Sequence, residues 1–331
     1  MELKKWVVPE EVHINEGNHT GFQPIMNDID NRIQDVHIPS KNNGIKKTVN
    51  IANHFYTWKF GSINIRSGKE KSEGSKMYII AKQVAQAKLS FCCLQEVRHR
   101  NTGRKIISLD TGEEYLFMWC GQKRRRDAGV GILIRKSKEI TFDDPDILDP
   151  RLMAMNMKVN GFSIRLVNVY SPTNSNGSDS QKDAFYRMIK KACQKSLKHQ
   201  KLVLVGDFNA TTAISMKHCC FDGRQIIEDT ICNDNGSRIK SLCREQKLCM
   251  TQTFFDYPLD ERYTWYSENK ITKKVIDYVL MESYAQKHVK SCLVQKKLDF
   301  GSDHRLIQTE MHTPTSQKAI KWQKKNCSKV T

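Results

Sequence analysis

Residues 201–211 read "KLVLVGDFNAT", and the way this stretch is read decides the fold. Leu202, Val203, Leu204 and Val205 form an unbroken apolar run, too short for a helix. A run without alternation is what a strand covered on both faces shows. Gly206, Asp207 and Asn209 follow at once, so a carboxylate and a carboxamide leave the end of a buried strand. Strand ends are where a rigid sheet holds loop chemistry.

The flanking sequence predicts more of the same architecture. Residues 58–65 (WKFGSINI) and 89–97 (LSFCCLQEV) read as strands, with a helix between them over 75–88. That helix has apolar residues at 77, 80, 81, 84 and 85 and Ser75 as its cap. EEYLFMWC and AGVGILIRK are two strands separated by the charged turn GQKRRRD. LMAMNMKV and FSIRLVNVY meet at Asn160-Gly161, a strong hairpin signal. SQKDAFYRMIKKACQKSLKH and NGSRIKSLCREQK read as helices, and LCMTQTF, RYTWYS, KKVIDYVLM and HRLIQTEM as strands. Strands outnumber helices and occur both as hairpins and as βαβ units. The expected class is α/β, with mixed sheets and helices outside them rather than a doubly wound sheet. Three segments are expected: a poorly ordered polar leader (1–54), one domain (55–312) and a basic tail (313–331).

A net charge of +18 on 331 residues points to a polyanionic partner. No run of eighteen apolar residues occurs, which argues against a membrane span, and the N-terminus shows no secretory h-region. The eleven cysteines lack C-x-x-C spacing and sit mostly in apolar stretches, as reduced intracellular thiols do.

Other strand ends carry polar residues too. Asn64 ends FGSI, Glu96 ends FCCLQ, Tyr170 ends IRLVNV, and Asp303 and His304 begin the last strand. Asp277 interrupts KVIDYVLM, where a carboxylate is costly to bury without a cation or metal beside it. This set has the chemistry of phosphodiester hydrolysis. Glu96 or Asp303 suits a hard divalent ion, which neutralises phosphoryl charge. Asp207 suits the acceptor that activates a water. Asn209, Tyr170 and a protonated His304 suit the developing charge on phosphate, and Asp277 beside His304 would favour the imidazolium.

SINIRSG, LQEVR, GVGILIRK, LVNVYSPT, LVGDFNA, YTWYS, VIDYVLM and GSDHRLI follow one another along the chain. Their order resembles the endonuclease/exonuclease/phosphatase superfamily over about residues 56–311. NIRSG, LQEVR, YSPT and GSDHRLI are most similar to the endonuclease domain of non-LTR retrotransposons and the craniofacial development protein 2-like group. The resemblance implies a four-layer sandwich: two mixed β-sheets face to face, flanked by helices. It implies an Mg2+-dependent DNA endonuclease, Mn2+ serving in its place, that leaves 3′-hydroxyl and 5′-phosphate ends. Glu96 resembles the principal metal ligand, Asn64 the residue supporting that site and Asp303 a second metal-side carboxylate. Tyr170 resembles the tyrosine at the scissile phosphate, Asp207 the residue positioning the water and Asn209 the phosphate holder. His304 matches the phosphate-binding histidine and Asp277 its partner. The chain departs from cellular apurinic endonucleases at Arg66, where they carry Asp, and from many relatives at Thr173, where they carry Asn.

VRHRNTGRK (97–105) and QKRRRD (122–127) are expected in loops that grip backbone phosphates. Arg66, Arg98, Arg100, Lys123, Arg124 and Arg125 are the DNA-binding candidates. Trp265 joins them, as a buttress of the pocket or a stacking platform. The expected partners are DNA and retroelement or chromatin proteins, without a membrane, in the nucleus; the oligomeric state is not legible. Two other readings use the same scaffold: an inositol-phosphate phosphomonoesterase, or a catalytically weak DNA-binding derivative. LVGDFNA lacks the Trp and Arg that flank this motif in inositol-phosphate 5-phosphatases.

Overall fold

The computed structural model describes residues 35–37, 48–50, 55–68, 76–124, 128–173, 177–213 and 231–314. The chain divides into two compact units, Met1–Asn53 and His54–Thr331. In the first, β1 (Asp35–His37) and β2 (Thr48–Asn50) pair antiparallel. The other residues expected to form a polar leader, and the basic tail beyond Pro314, lie outside the described residues.

The second unit begins with β3 (Phe55–Asn64), α1 (Lys76–Gln86), β4 (Phe91–Gln95), β5 (Thr102–Ser108), β6 (Glu114–Cys120) and β7 (Val130–Arg135). Next come β8 (Ile140–Phe142), β9 (Asp146–Asp149), β10 (Leu152–Val159), β11 (Phe162–Tyr170), α2 (Asp179–Gln194), β12 (Lys201–Asp207) and α3 (Asp234–Gln246). It closes with β13 (Leu248–Met250), β14 (Trp265–Tyr266), β15 (Lys273–Lys274), β16 (Asp277–Glu282), β17 (Val289–Gln295) and β18 (Leu306–Pro314). One seven-stranded sheet has the order β17-β18-β3-β4-β7-β6-β5. The other runs β13-β16-β12-β11-β10-β8, with β9 also on β10. Both are mixed: β3–β4 and β11–β12 pair parallel, and the remaining pairs antiparallel.

Alternation along each strand builds the layers. Val203 and Val205 of β12 pack with Phe60 of β3, Phe91 and Cys93 of β4, and Leu166 of β11, in a core shared by the two sheets. Leu202 and Leu204 face the other way, onto Phe185 and Ile189 of α2 and Ile239 and Leu242 of α3. Cys92 and Leu94 of β4 face Ile80 and Val84 of α1. The architecture is therefore an α/β sandwich of helix, sheet, sheet and helices, as expected. A continuous apolar run is what each central strand needs, because both of its faces are covered.

The expected hairpin forms at Asn160 and Gly161, which take φ of 50° and 81°, the positive values that a two-residue turn requires. Two expectations need correction. Residues 97–105 are not all loop: from Thr102 the chain becomes β5, paired with β6 at the edge of its sheet. As the edge strand of its sheet it leaves Arg104 and Lys105 exposed on both sides, which hides a strand among charges. LCMTQTF keeps strand pairing only through Met250 and then turns into a 3-10 helix, Thr251–Phe254.

Candidate functional site

The period of two that builds the core also places the chemistry. Asp207 continues the side of β12 occupied by Val203 and Val205, and Tyr170 continues the side of β11 occupied by Leu166. Asp277 starts β16 on the side of Val279 and Met281. Register sets Tyr170 opposite Asp207 and Asp207 opposite Asp277, so three adjacent strands present these groups side by side. Asn64 ends β3 on the side of Phe60, beside Gln95 of β4. Behind this row a buried polar bridge joins the sheets: Gln95 Nε2 donates to Asn168 Oδ1 (2.8 Å) and to Ser62 Oγ (3.1 Å).

Left-handed backbone turns aim the remaining groups. Glu96, Arg66, Arg98 and Asn209 have φ of 52°, 54°, 53° and 48°. Such values are uncommon for non-glycine residues, and their clustering at strand ends is typical of a site where geometry outweighs local strain.

Asn64 is the hub. Its buried Nδ2 donates to Glu96 Oε1 and to Asp207 Oδ2, both at 3.0 Å, while its Oδ1 accepts the Arg66 N–H at 3.0 Å. Tyr170 donates its hydroxyl to Glu96 Oε1 at 2.8 Å, and Arg98 grips Glu96 Oε2 through Nη2 (2.6 Å) and Nε (3.2 Å). On the other side, His304 Nδ1 lies 2.9 Å from Asp277 Oδ2, and its Nε2 lies 3.8 Å from Asp207 Oδ2. The Asn209 backbone N–H caps Asp207 Oδ1 at 2.9 Å, and its carboxamide donates to Ser171 O at 2.9 Å. Asp303 accepts from Trp265 Nε1 at 3.0 Å and faces Arg66 Nε at 3.6 Å. All eight predicted catalytic and metal-side residues thus belong to one connected cluster, tied together by Asn64, Ser302 and Trp265.

Burial sets the electrostatics. It pushes the Asp207 carboxyl up to about 7, helped by the neighbouring Asp277 charge and opposed by His304 and Asn64. Burial alone would lower His304, but Asp277, Asp207 and Asp303 outweigh it and raise the imidazole to about 9. Burial also opposes ionisation of Glu96, yet hydrogen bonds from Asn64, Arg98 and Tyr170 hold it below the usual carboxylate range. Burial and the Glu96 charge raise the Tyr170 phenol. At neutral pH the cleft therefore holds an imidazolium, a carboxylate poised to exchange a proton, and a firmly ionised glutamate.

The basic candidates differ in their contacts. Arg66 and Arg98 touch Asp303 and Glu96, whereas Arg100, Lys123 and Arg124 are exposed. Arg125 lies outside the described residues. Trp265 is half-buried against Asp303, as a buttress would be. The sequence reading missed Ser302, whose hydroxyl donates to Asn64 O at 2.6 Å and accepts the His304 N–H at 3.1 Å. It also missed Arg151, whose guanidinium lies 4.5 Å from the centre of the Tyr170 ring. Ser302 stood in the quoted GSDH run, so its place beside Asp303 was a usable signal; Arg151 offered none.

Glu96 and Asp303 supply hard carboxylate oxygens of the kind Mg2+ takes. Asn64 turns its amide nitrogen to Glu96 and Asp207, so it would orient Glu96 rather than ligate. Asp207, Asp277 and His304 also bring ligand atoms within 4.8 Å of one another. A protonated imidazole has no lone pair for a cation, however, so the donor chemistry fits a metal on the Glu96 side.

A family model described as endonuclease-reverse transcriptase matches residues 164–308. The chain is 23% identical over 247 residues to craniofacial development protein 2 of Bos taurus, covering 75% of this chain and 40% of that protein. The AP endonuclease LMAP from Leishmania major superposes with a TM-score of 0.55 at 14% identity, covering 78% of this chain and 88% of its own. The endonuclease domain of TRAS1, a telomere-specific non-LTR retrotransposon, has a TM-score of 0.51 at 14% identity, covering 78% and 99%. The 3′ phosphatase NExo from Neisseria, solved bound to product DNA hairpin, gives 0.52 at 20% identity, covering 77% and 99%.

Proposed function

We propose that this chain, which has the endonuclease/exonuclease/phosphatase fold and resembles craniofacial development protein 2, is a divalent-metal-dependent phosphodiesterase that nicks DNA. One observation carries the reading: the Asp277–His304–Asp207 line and the Tyr170–Glu96 pair meet through the single amide of Asn64. That arrangement sets a proton acceptor, a cationic donor and a metal-type carboxylate around one small volume.

In this mechanism Asp207, ionised above about pH 7, takes a proton from the attacking water. His304, held protonated by Asp277, donates toward the phosphoryl oxygens as negative charge builds there. Asn209, two residues after Asp207, is a further phosphate neighbour. Tyr170 and Asn64 orient Glu96. Mg2+ held on Glu96, with Asp303 nearby, would neutralise phosphoryl charge and steady the leaving oxygen. Water adds to phosphorus, the P–O3′ bond breaks and the leaving O3′ takes a proton from solvent, leaving 3′-hydroxyl and 5′-phosphate ends. DNA as substrate accords with the net charge of +18 and with the exposed Arg100, Lys123 and Arg124. Nuclear residence belongs to the same proposal.

Relaxation of supercoiled plasmid with Mg2+ tests the reading. Wild type should nick, and Asp207→Ala and His304→Ala should fall to background. Equal behaviour of all three proteins refutes the enzyme. A guanidinium beside Asp303 favours a second reading, a DNA-binding derivative with weak catalysis. Salt-sensitive binding without nicking would select it. Release of inorganic phosphate from an inositol phosphate, with plasmid untouched, would select a phosphomonoesterase.

A further inference from the structure

Glu96 is saturated. Its Oε1 accepts from Asn64 and Tyr170, and its Oε2 accepts twice from Arg98. Two carboxylate oxygens offer about four lone-pair positions, so a cation can bind Glu96 only where one of these donors leaves. Asn64 is fully buried and shared with Asp207, and Tyr170 is locked in the inter-sheet core. Arg98 is the partner that can go, since 38% of its side chain is exposed. Its backbone is pinned by the N–H bond to Ala128 O at 3.1 Å, so the guanidinium can swing while the loop stays in place. Arg66 repeats the pattern more loosely, with 48% of its side chain exposed and its Nε 3.6 Å from Asp303.

We infer that Arg98 is an exchangeable cation at the metal position. A divalent ion displaces it from Glu96 Oε2, and the released guanidinium is satisfied by a phosphodiester oxygen of the bound nucleic acid. This rests on the reading of Glu96 as metal ligand given above. The physical cause is charge. A guanidinium freed beside a divalent ion is repelled, and a neighbouring phosphate is the anion that can receive it. Metal and nucleic acid then bind with positive coupling, and linkage makes the effect reciprocal. Without nucleic acid, Arg98 competes with the metal for the carboxylate. With nucleic acid present, Arg98 has another partner and the competition ends.

The test measures Mn2+ affinity of the full chain by the loss of the free-ion electron paramagnetic resonance signal. It is run with and without a short phosphorothioate DNA duplex, which resists hydrolysis, and Glu96→Gln defines the background. Wild type should bind the ion more tightly when the duplex is present. Arg98→Ala should bind roughly tenfold more tightly than wild type without DNA, since two charge-assisted hydrogen bonds no longer oppose the ion. In that variant the gain from the duplex should shrink. Arg98→Lys keeps the charge, loses the two-pronged grip and should fall between. If Arg98→Ala binds Mn2+ no better than wild type, or keeps the full gain from the duplex, the exchange is wrong. Nicking enters none of these readouts, so the phosphodiesterase proposal and the exchange can fail separately.

Discussion

Asp277→Asn should slide the whole pH–activity profile toward acid. The wild-type profile is expected to be a bell, rising as Asp207 ionises near pH 7 and falling as His304 loses its proton near pH 9. Asp277 is the first cause raising His304 and, after burial, the first raising Asp207. Lifting the imidazole from 6.5 to about 9 corresponds to roughly 3 kcal/mol of preference for the imidazolium. Burial opposes that preference while Asp207 and Asp303 still support it, so without the Asp277 charge, the largest of the raising causes, His304 should titrate well below 9. A fall of about two units would take the protonated fraction at pH 8 from about nine-tenths to about one-tenth and the rate there down roughly tenfold. Asp207 loses a repelling neighbour and ionises at lower pH, so the rate at pH 6 should hold or rise. Plasmid nicking with Mg2+ between pH 5.5 and 10 reads the profile. Two-dimensional NMR titration of the His304 ring reads the same pKa without activity. If the alkaline limb and the ring titration both stay near 9 in the variant, Asp277 does not hold the proton on His304 and the electrostatic reading is refuted.

Asn64→Ala removes the donor shared by Glu96 and Asp207, leaving two buried carboxylates short of a partner. A loss of about 2 kcal/mol in urea unfolding, at unchanged m-value, is expected together with loss of nicking. Gly206 has φ of 143°, and a Cβ there would lie 1.9 Å from the Val169 carbonyl oxygen. Gly206→Ala should therefore cost at least about 3 kcal/mol; a cost under about 1 kcal/mol would mean that the β11–β12 approach is not as tight as described. Arg100→Ala should reduce the salt slope of DNA binding by about one unit while leaving the unfolding midpoint in place. An unchanged slope would remove Arg100 from the phosphate-binding rim.

Much of the sandwich was legible because burial on two faces leaves a compositional trace. The apolar runs of β4, β11 and β12 named the central strands, and Asn160-Gly161 named a hairpin. β5 was not legible, because an edge strand facing solvent can carry Arg104 and Lys105 where a central strand cannot. The site was partly legible for the same reason. A carboxylate at Asp277 inside an apolar run demanded a partner, and His304 lies beside it. Arg98 reads from sequence as a loop residue for DNA, whereas its guanidinium grips Glu96 where both residues take left-handed backbone beyond the end of β4.

By itself the amino-acid order determined which strands are buried and which polar groups stand at their ends, because hydrophobic period and local turn chemistry act over a few residues. Only the tertiary structure decided which of those groups share a proton, a hydrogen bond or a charge. Asn64 meets Asp207 across 143 positions of chain. Contacts of that kind arise from sheet register and from the stacking of two sheets, and no local pattern encodes them.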